Sequence, residues 1–230
     1  MAQIPRLGPV GPAQSDSLVH FTGRPGARSS AVPAEICAMA PEERLDSILA
    51  SQRLWGFPPF GSDTSCLCFS ESPPDHLAHL IVERGFAPWG VVITRSQMMS
   101  VGGGSVAYVP EEVYRKFQWS GLGSWAVRTE DDSLWMHERE WRLPLLRSTP
   151  PGAKLKNLRA ILIGDPQWRP SPIGSGQWVH PEDGEPCPGG CPEPQCHELT
   201  VMPQLWQNTE IWVWDAVEAE VRAHSPGTLR

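Results

Sequence analysis

Tyrosine is nearly absent from this chain, with 2 residues in 230, and phenylalanine is scarce, with 6. Aromatic packing and stacking therefore fall to tryptophan, of which there are 11. Basic residues are outnumbered, 19 Lys and Arg against 26 Asp and Glu, which gives a net charge of -7. That balance excludes a broad basic surface that tracks a phosphate backbone, and leaves nucleic acid only as a locally gripped substrate. No apolar run approaches the roughly 18 residues of a membrane-spanning helix, so no membrane association is expected. The first 17 residues lack the apolar core of a signal peptide. A cytoplasmic protein follows, with cysteines that are thiols or metal ligands rather than disulfides. Gly102, Gly103 and Gly104 are not followed by Gly-Lys-Ser or Gly-Lys-Thr, which excludes a Walker-type phosphate loop.

What the chain has in quantity is proline, 25 residues, and glycine, 21, so loops are abundant. Its length suits one sizeable domain. Residues 1–17 read as a flexible leader and residues 18–230 as a single domain, with an irregular Pro/Gly/Cys-rich insertion at about 165–198. Strands are expected at 18–22, 65–70, 89–94, 106–109, 135–143, 158–164, 199–202 and 211–214. Helices are expected at 41–55, opened by Pro41-Glu42-Glu43, at 74–84, closed by Gly85, and at 216–223, with a helical turn or two at 111–117. Short strands, two or three short helices and long loops, without regular βαβα alternation, make the class α+β.

The densest chemistry lies in His137-Glu138-Arg139-Glu140-Trp141-Arg142, flanked on both sides by apolar residues. In an extended segment Glu138, Glu140 and Arg142 share one face, and His137, Arg139, Trp141 and Leu143 share the other. Two carboxylates on one surface raise each other's pKa and can divide labour, one holding a hydroxyl and one handling a proton. The alternative is a strand edge whose charges are solvated.

Four segments, in order, resemble the AbiGi-type abortive phage-resistance family. They are Leu18-Val19-His20-Phe21-Thr22-Gly23, Leu45-Asp46-Ser47-Ile48-Leu49 with Trp55-Gly56, Cys68-Phe69-Ser70-Glu71-Ser72-Pro73, and Glu138-Arg139-Glu140-Trp141-Arg142. More distantly, the same order resembles the DarT-like ADP-ribosyltransferases. The resemblance implies a split sheet of short strands and NAD as substrate. It implies that His20, Thr22 and Gly23 hold the dinucleotide, that Glu140 is the catalytic carboxylate and that Glu138 contacts the acceptor. The implied activity is cleavage of NAD and transfer of ADP-ribose to a nucleic-acid or protein acceptor, as a toxin or phage-defence effector. The AbiGi resemblance also implies an alternative, a non-catalytic antitoxin or interaction module that binds a cognate partner. Arg24 and Arg53 are read as solvated, with the diphosphate as the alternative partner. Trp55 and Trp89 are read as packing residues, with base or nicotinamide stacking as the alternative.

Cys187, Cys191, Cys196 and His197 lie within the insertion and suit a structural zinc, which would give a proline-heavy loop a fixed shape. Adjacent Cys196 and His197 need a sharp turn to face one metal, and His180 is the substitute for His197. An unliganded surface loop is the alternative. Cys66 and Cys68, in an apolar run, are expected to be buried structural thiols.

Overall fold

The computed structural model describes residues 14–26, 31–59, 62–130, 136, 138–146, 152–180, 184–187 and 196–229. The chain opens with strand β1 (Ser17–Phe21), then helices α1 (Ala34–Ala38) and α2 (Pro41–Ser51). Proline and two glutamates in the first turn favour the start of α2, and the Glu43 carboxylate accepts the Ala40 N–H. The helix stops at Ser51 rather than near Trp55, because Gln52 adopts a left-handed conformation and its N–H closes on the Ile48 carbonyl. Strand β2 (Arg53–Trp55) takes up the residues expected to be helical.

Strand β3 (Cys66–Glu71), helix α3 (Pro74–Val82) and strand β4 (Gly90–Thr94) follow as the sequence predicts. Helix α4 (Arg95–Ser100) does not follow from the apolar spacing; a reciprocal cap builds it. Thr94 Oγ1 accepts the Gln97 N–H, and the Gln97 side chain accepts the Thr94 N–H. Next come β5 (Gly104–Ser105), β6 (Ala107–Val109), α5 (Glu111–Trp119), a 3₁₀ turn at Gly123–Trp125 and β7 (Ala126–Arg128). The remaining elements are β8 (Glu140–Pro144), β9 (Gly152–Lys154), β10 (Ala160–Ile163), β11 (Ile173–Val179), β12 (Pro186–Cys187), β13 (His197–Val201), α6 (Gln204–Asn208), β14 (Glu210–Asp215) and β15 (Glu220–His224).

Eight strands form one mixed sheet in the order β15-β14-β10-β4-β1-β3-β8-β5, in which β10 and β14 are parallel and every other neighbouring pair is antiparallel. A large mixed sheet and six helices among the described residues make the class α+β, with more helices than expected. One face carries Leu18, Leu67, Phe69, Val91, Trp141 and Ile161, packed against Leu45 and Leu49 of α2 and Leu205 and Trp206 of α6. The opposite face carries Val19, Val92, Ala160, Leu162 and Trp214, packed against Leu77 of α3. With apolar residues on both faces, the central strands have little polar-apolar alternation to read.

Two expectations are corrected. Residues 216–223 are not a helix: Asp215 Oδ1 accepts the N–H groups of Val217 and Glu218, which turns the chain back into β15. The insertion is not irregular throughout, since β11 pairs with β12 and β13 in a separate three-stranded sheet that also takes up residues 199–201. Within the stretch read as leader, Ser15 and Asp16 are bonded to the main sheet and its flank. The Ser15 N–H bonds the Glu71 carboxylate, and the Asp16 carbonyl accepts the Arg95 N–H.

Candidate functional site

Strand β8 carries the site, and its neighbours set which way each side chain faces. In the register, Glu140 lies opposite Ser70, which lies opposite Val19, while Trp141 lies opposite Phe69. Directly opposed residues share a face, so Glu140 and Arg142 stand on the Val19 face and Trp141 on the Leu18 face. For residues 140–142 this is the alternation read from the sequence; Glu138, expected on the same strand face, lies outside β8. Arg142 is buried and donates from Nε and Nη2 to the two Glu140 carboxylate oxygens, at 2.8 and 2.9 Å. Its Nη1 donates to the carbonyls of Ser124 and Ala126. Burial opposes the arginine's charge, but the Glu140 carboxylate bonded to it outweighs burial and raises its pKa. The result is an acid fixed in position, paired through a planar fork.

Glu138 is in a different environment. Its carboxylate is half-buried and meets Arg24 Nη2 at 2.8 Å. Burial raises its pKa, Arg24 opposes that shift, and the nearby Glu140 charge adds to it. Between the two glutamates Arg139 takes a left-handed backbone (φ 44°), uncommon for a residue with a side chain. The kink is held by the Ser70 hydroxyl, which donates to the Glu138 carbonyl, and by the Glu71 N–H, which donates to the Arg139 carbonyl at 3.2 Å. Tyr108 completes the cluster. Its hydroxyl accepts the Glu140 N–H at 2.8 Å, and burial pushes the phenol up to about 12, so it stays protonated at neutral pH. Below Glu140, burial lifts the Cys68 thiol well above its usual range and the Cys66 thiol to about 11, which keeps both unreactive.

The residues expected to hold a dinucleotide are elsewhere. The His20 ring lies 5.5 Å from the Phe69 ring, on the face of Leu18 and Trp141, and its Nδ1 bonds the Cys68 carbonyl at 2.8 Å. His20 and Glu140 are therefore on opposite faces of the sheet and do not share a pocket. Thr22 is buried, and its hydroxyl and N–H both donate to the Trp89 carbonyl. A Cβ placed on Gly23 would lie 2.6 Å from Pro41 and 2.7 Å from Ala87, so this glycine permits tight protein packing rather than approach by a ligand. Toward NAD the fit divides. The carboxylate end offers a fixed anion, a second acid and an arginine, whereas the cradle expected at residues 20–23 is used by the protein itself. Of the other residues considered, Arg53 lies over the Trp55 ring and Trp89 packs edge-on against Trp168, both as internal contacts.

Glu71 carries an unexpected structural role. This buried carboxylate accepts from the Ser15 N–H, from Arg139 Nη2 and from Trp141 Nε1, tying the residues just before β1 to β8. A glutamate ending a strand that begins Cys66-Leu67-Cys68-Phe69 was the available signal.

In the small sheet, ligand atoms of His180, Cys187 and Cys196 lie within 4.8 Å of one another. This group can hold a metal. His197, the expected imidazole, is exposed and lies opposite Val179, one residue out of phase with His180. Cys191 and His137 fall outside the described residues. Comparison of the chain with protein-family models, with curated proteins and with solved structures gives no match. Among the described residues no helix is long and apolar enough to cross a membrane.

Proposed function

We propose that this chain is an ADP-ribosyltransferase-like enzyme whose working acids are Glu138 and Glu140, acting as a toxin or phage-defence effector on a nucleic-acid or protein acceptor. The observation that supports this reading is two neighbouring glutamates in unlike surroundings, Glu140 clamped by buried Arg142 and Glu138 paired with the more exposed Arg24. NAD as substrate would supply an N-glycosidic bond whose cleavage builds positive charge on the ribose. Glu140, fixed in position by two hydrogen bonds from Arg142, offers a preorganised carboxylate to a developing positive charge. Glu138, with its raised pKa, takes and returns a proton at its carboxylate. Arg24 answers a phosphate once it releases Glu138, since a guanidinium binds either anion through the same fork. Glu140 keeps the role implied by the family resemblance, Glu138 gains a proton-transfer role in place of an acceptor contact, and His20, Thr22 and Gly23 are left as scaffold.

A second reading, a non-catalytic module that binds a cognate toxin or antitoxin, is favoured by the placement of His20 and Glu140 on opposite faces. Incubating the chain with nicotinamide-labelled NAD and cell extract separates the two. The enzyme releases nicotinamide, and Glu138→Gln stops the release while the protein stays folded. A folded wild-type chain that releases none, yet captures a defined partner protein, supports the module instead.

A further inference from the structure

We propose that His180, Cys187 and Cys196 bind a zinc ion that staples β11, β12 and β13 together. This inference is independent of the enzymatic reading. The ladder brings the donors together. β11 and β13 pair Val179 with His197, so the next step of the antiparallel register sets His180 against Cys196. β11 and β12 pair Trp178 with Cys187, and Trp178 shares a face with His180 two residues on. All three donors therefore stand on one face of the sheet. His197, one residue from Cys196, faces away, which is why two adjacent potential ligands contribute one.

The distances suit a tetrahedral metal. With Zn–S near 2.3 Å and Zn–N near 2.05 Å, a tetrahedral angle separates sulfur from nitrogen by about 3.6 Å. Cys196 Sγ lies 3.5 Å from His180 Nδ1, and all three donor atoms fall within 4.8 Å. Two thiolates and an imidazole select zinc over the hard cations calcium and magnesium, which take oxygen. The fourth position falls to water or a further side chain.

The small sheet also needs such a staple. Of the seven residues of β11 only Val179 is buried, and β13 has none buried. A three-stranded sheet without a core of its own gains its order from a crosslink, and a metal held from all three strands supplies one. Each thiol loses its proton as its sulfur–zinc bond forms, so binding at neutral pH releases up to two protons to solvent and no electrons move.

Metal analysis of the full chain purified under reducing conditions tests this, with cobalt(II) as a spectroscopic replacement. The expected result is one zinc per chain, displaced by cobalt to give thiolate-to-cobalt charge-transfer bands and tetrahedral ligand-field absorption. H180A, C187S and C196S should each lose the metal or the tetrahedral spectrum, while H197A retains both. Because misfolding would also release the metal, circular dichroism of the main sheet accompanies each variant, and chelation of the wild type should loosen amide exchange in β11 and β13 without melting β1 or β4. A wild-type chain that takes up neither metal, a cobalt spectrum without thiolate bands, or loss of metal in H197A but not in H180A overturns the proposal. So does a Cys187–Cys196 disulfide in the reduced preparation.

Discussion

Arg142 holds both oxygens of Glu140 from two residues further along the same strand, and its remaining nitrogen reaches the carbonyls of Ser124, in the 3₁₀ turn, and of Ala126, which opens β7. The arginine thus joins the candidate site to the segment at Ser124 and Ala126. Replacing it with methionine leaves a half-buried carboxylate uncompensated and two carbonyls without a donor. Removing one partner of such a pair costs about 3–5 kcal/mol. Urea unfolding of R142M should show a loss of that size. R142K should recover only part of it, since an ammonium cannot reproduce the fork.

Glu138 makes the protein's stability depend on pH with a definite sign. Its folded pKa lies above the reference value of 4.5, because burial and the Glu140 charge favour the protonated form. The folded state then binds the proton more tightly than the unfolded state, so the contribution is fully present below about 4.5 and is lost as pH rises through the folded value. Glutamine at this position does not titrate. Denaturant unfolding should show wild type losing stability relative to E138Q as pH rises from 4 toward 7, and a flat difference would contradict the assignment.

The Glu71 clasp predicts a defect on the opposite face. E71A strands the Trp141 Nε1–H in the core and releases the Ser15 N–H. An unsatisfied buried donor costs about 1–3 kcal/mol. Thermal unfolding should drop accordingly, and hydrogen exchange at Ser15 and Ser17 should rise to the rate of open chain.

Gly23 distinguishes packing from ligand binding. G23A places a methyl group against Pro41 and Ala87, at distances no real contact permits. Overpacking of this kind costs typically 1–3 kcal/mol. The account expects that loss in a melting experiment, with the KM for NAD unchanged in the folded fraction. A raised KM with unaltered stability would return Gly23 to the ligand site.

Much of the site was legible in β8 itself, because a period of two assigns Glu140 and Arg142 to one face and Trp141 to the other whatever the neighbours do. The relation of β8 to His20 was not. Leu18 and Val19 are both buried, on opposite faces, so nothing in β1 shows which face is shared with a strand about 120 residues away. The cap that starts α4 was written in Thr94-Ser96-Gln97 but carries no apolar spacing. The segment after Asp215 reads as a helix by composition, yet the Asp215 carboxylate captures two N–H groups of the turn, and the Glu218 and Val217 amides hold its pKa down. His180 joins Cys196 only through the pairing of β11 with β13, a long-range fact. The mutual exclusion of Cys196 and His197 was visible from their adjacency alone.

The most direct test compares two variants in one assay of nicotinamide release from NAD. Proton transfer falls to Glu138, beside the Glu140 carboxylate, and His20 is part of the scaffold. The expected result is release by the wild type, loss of release in E138Q, and substantial retention in folded H20Q. Loss in H20Q with full activity in E138Q, or no release by the wild-type chain, would contradict it.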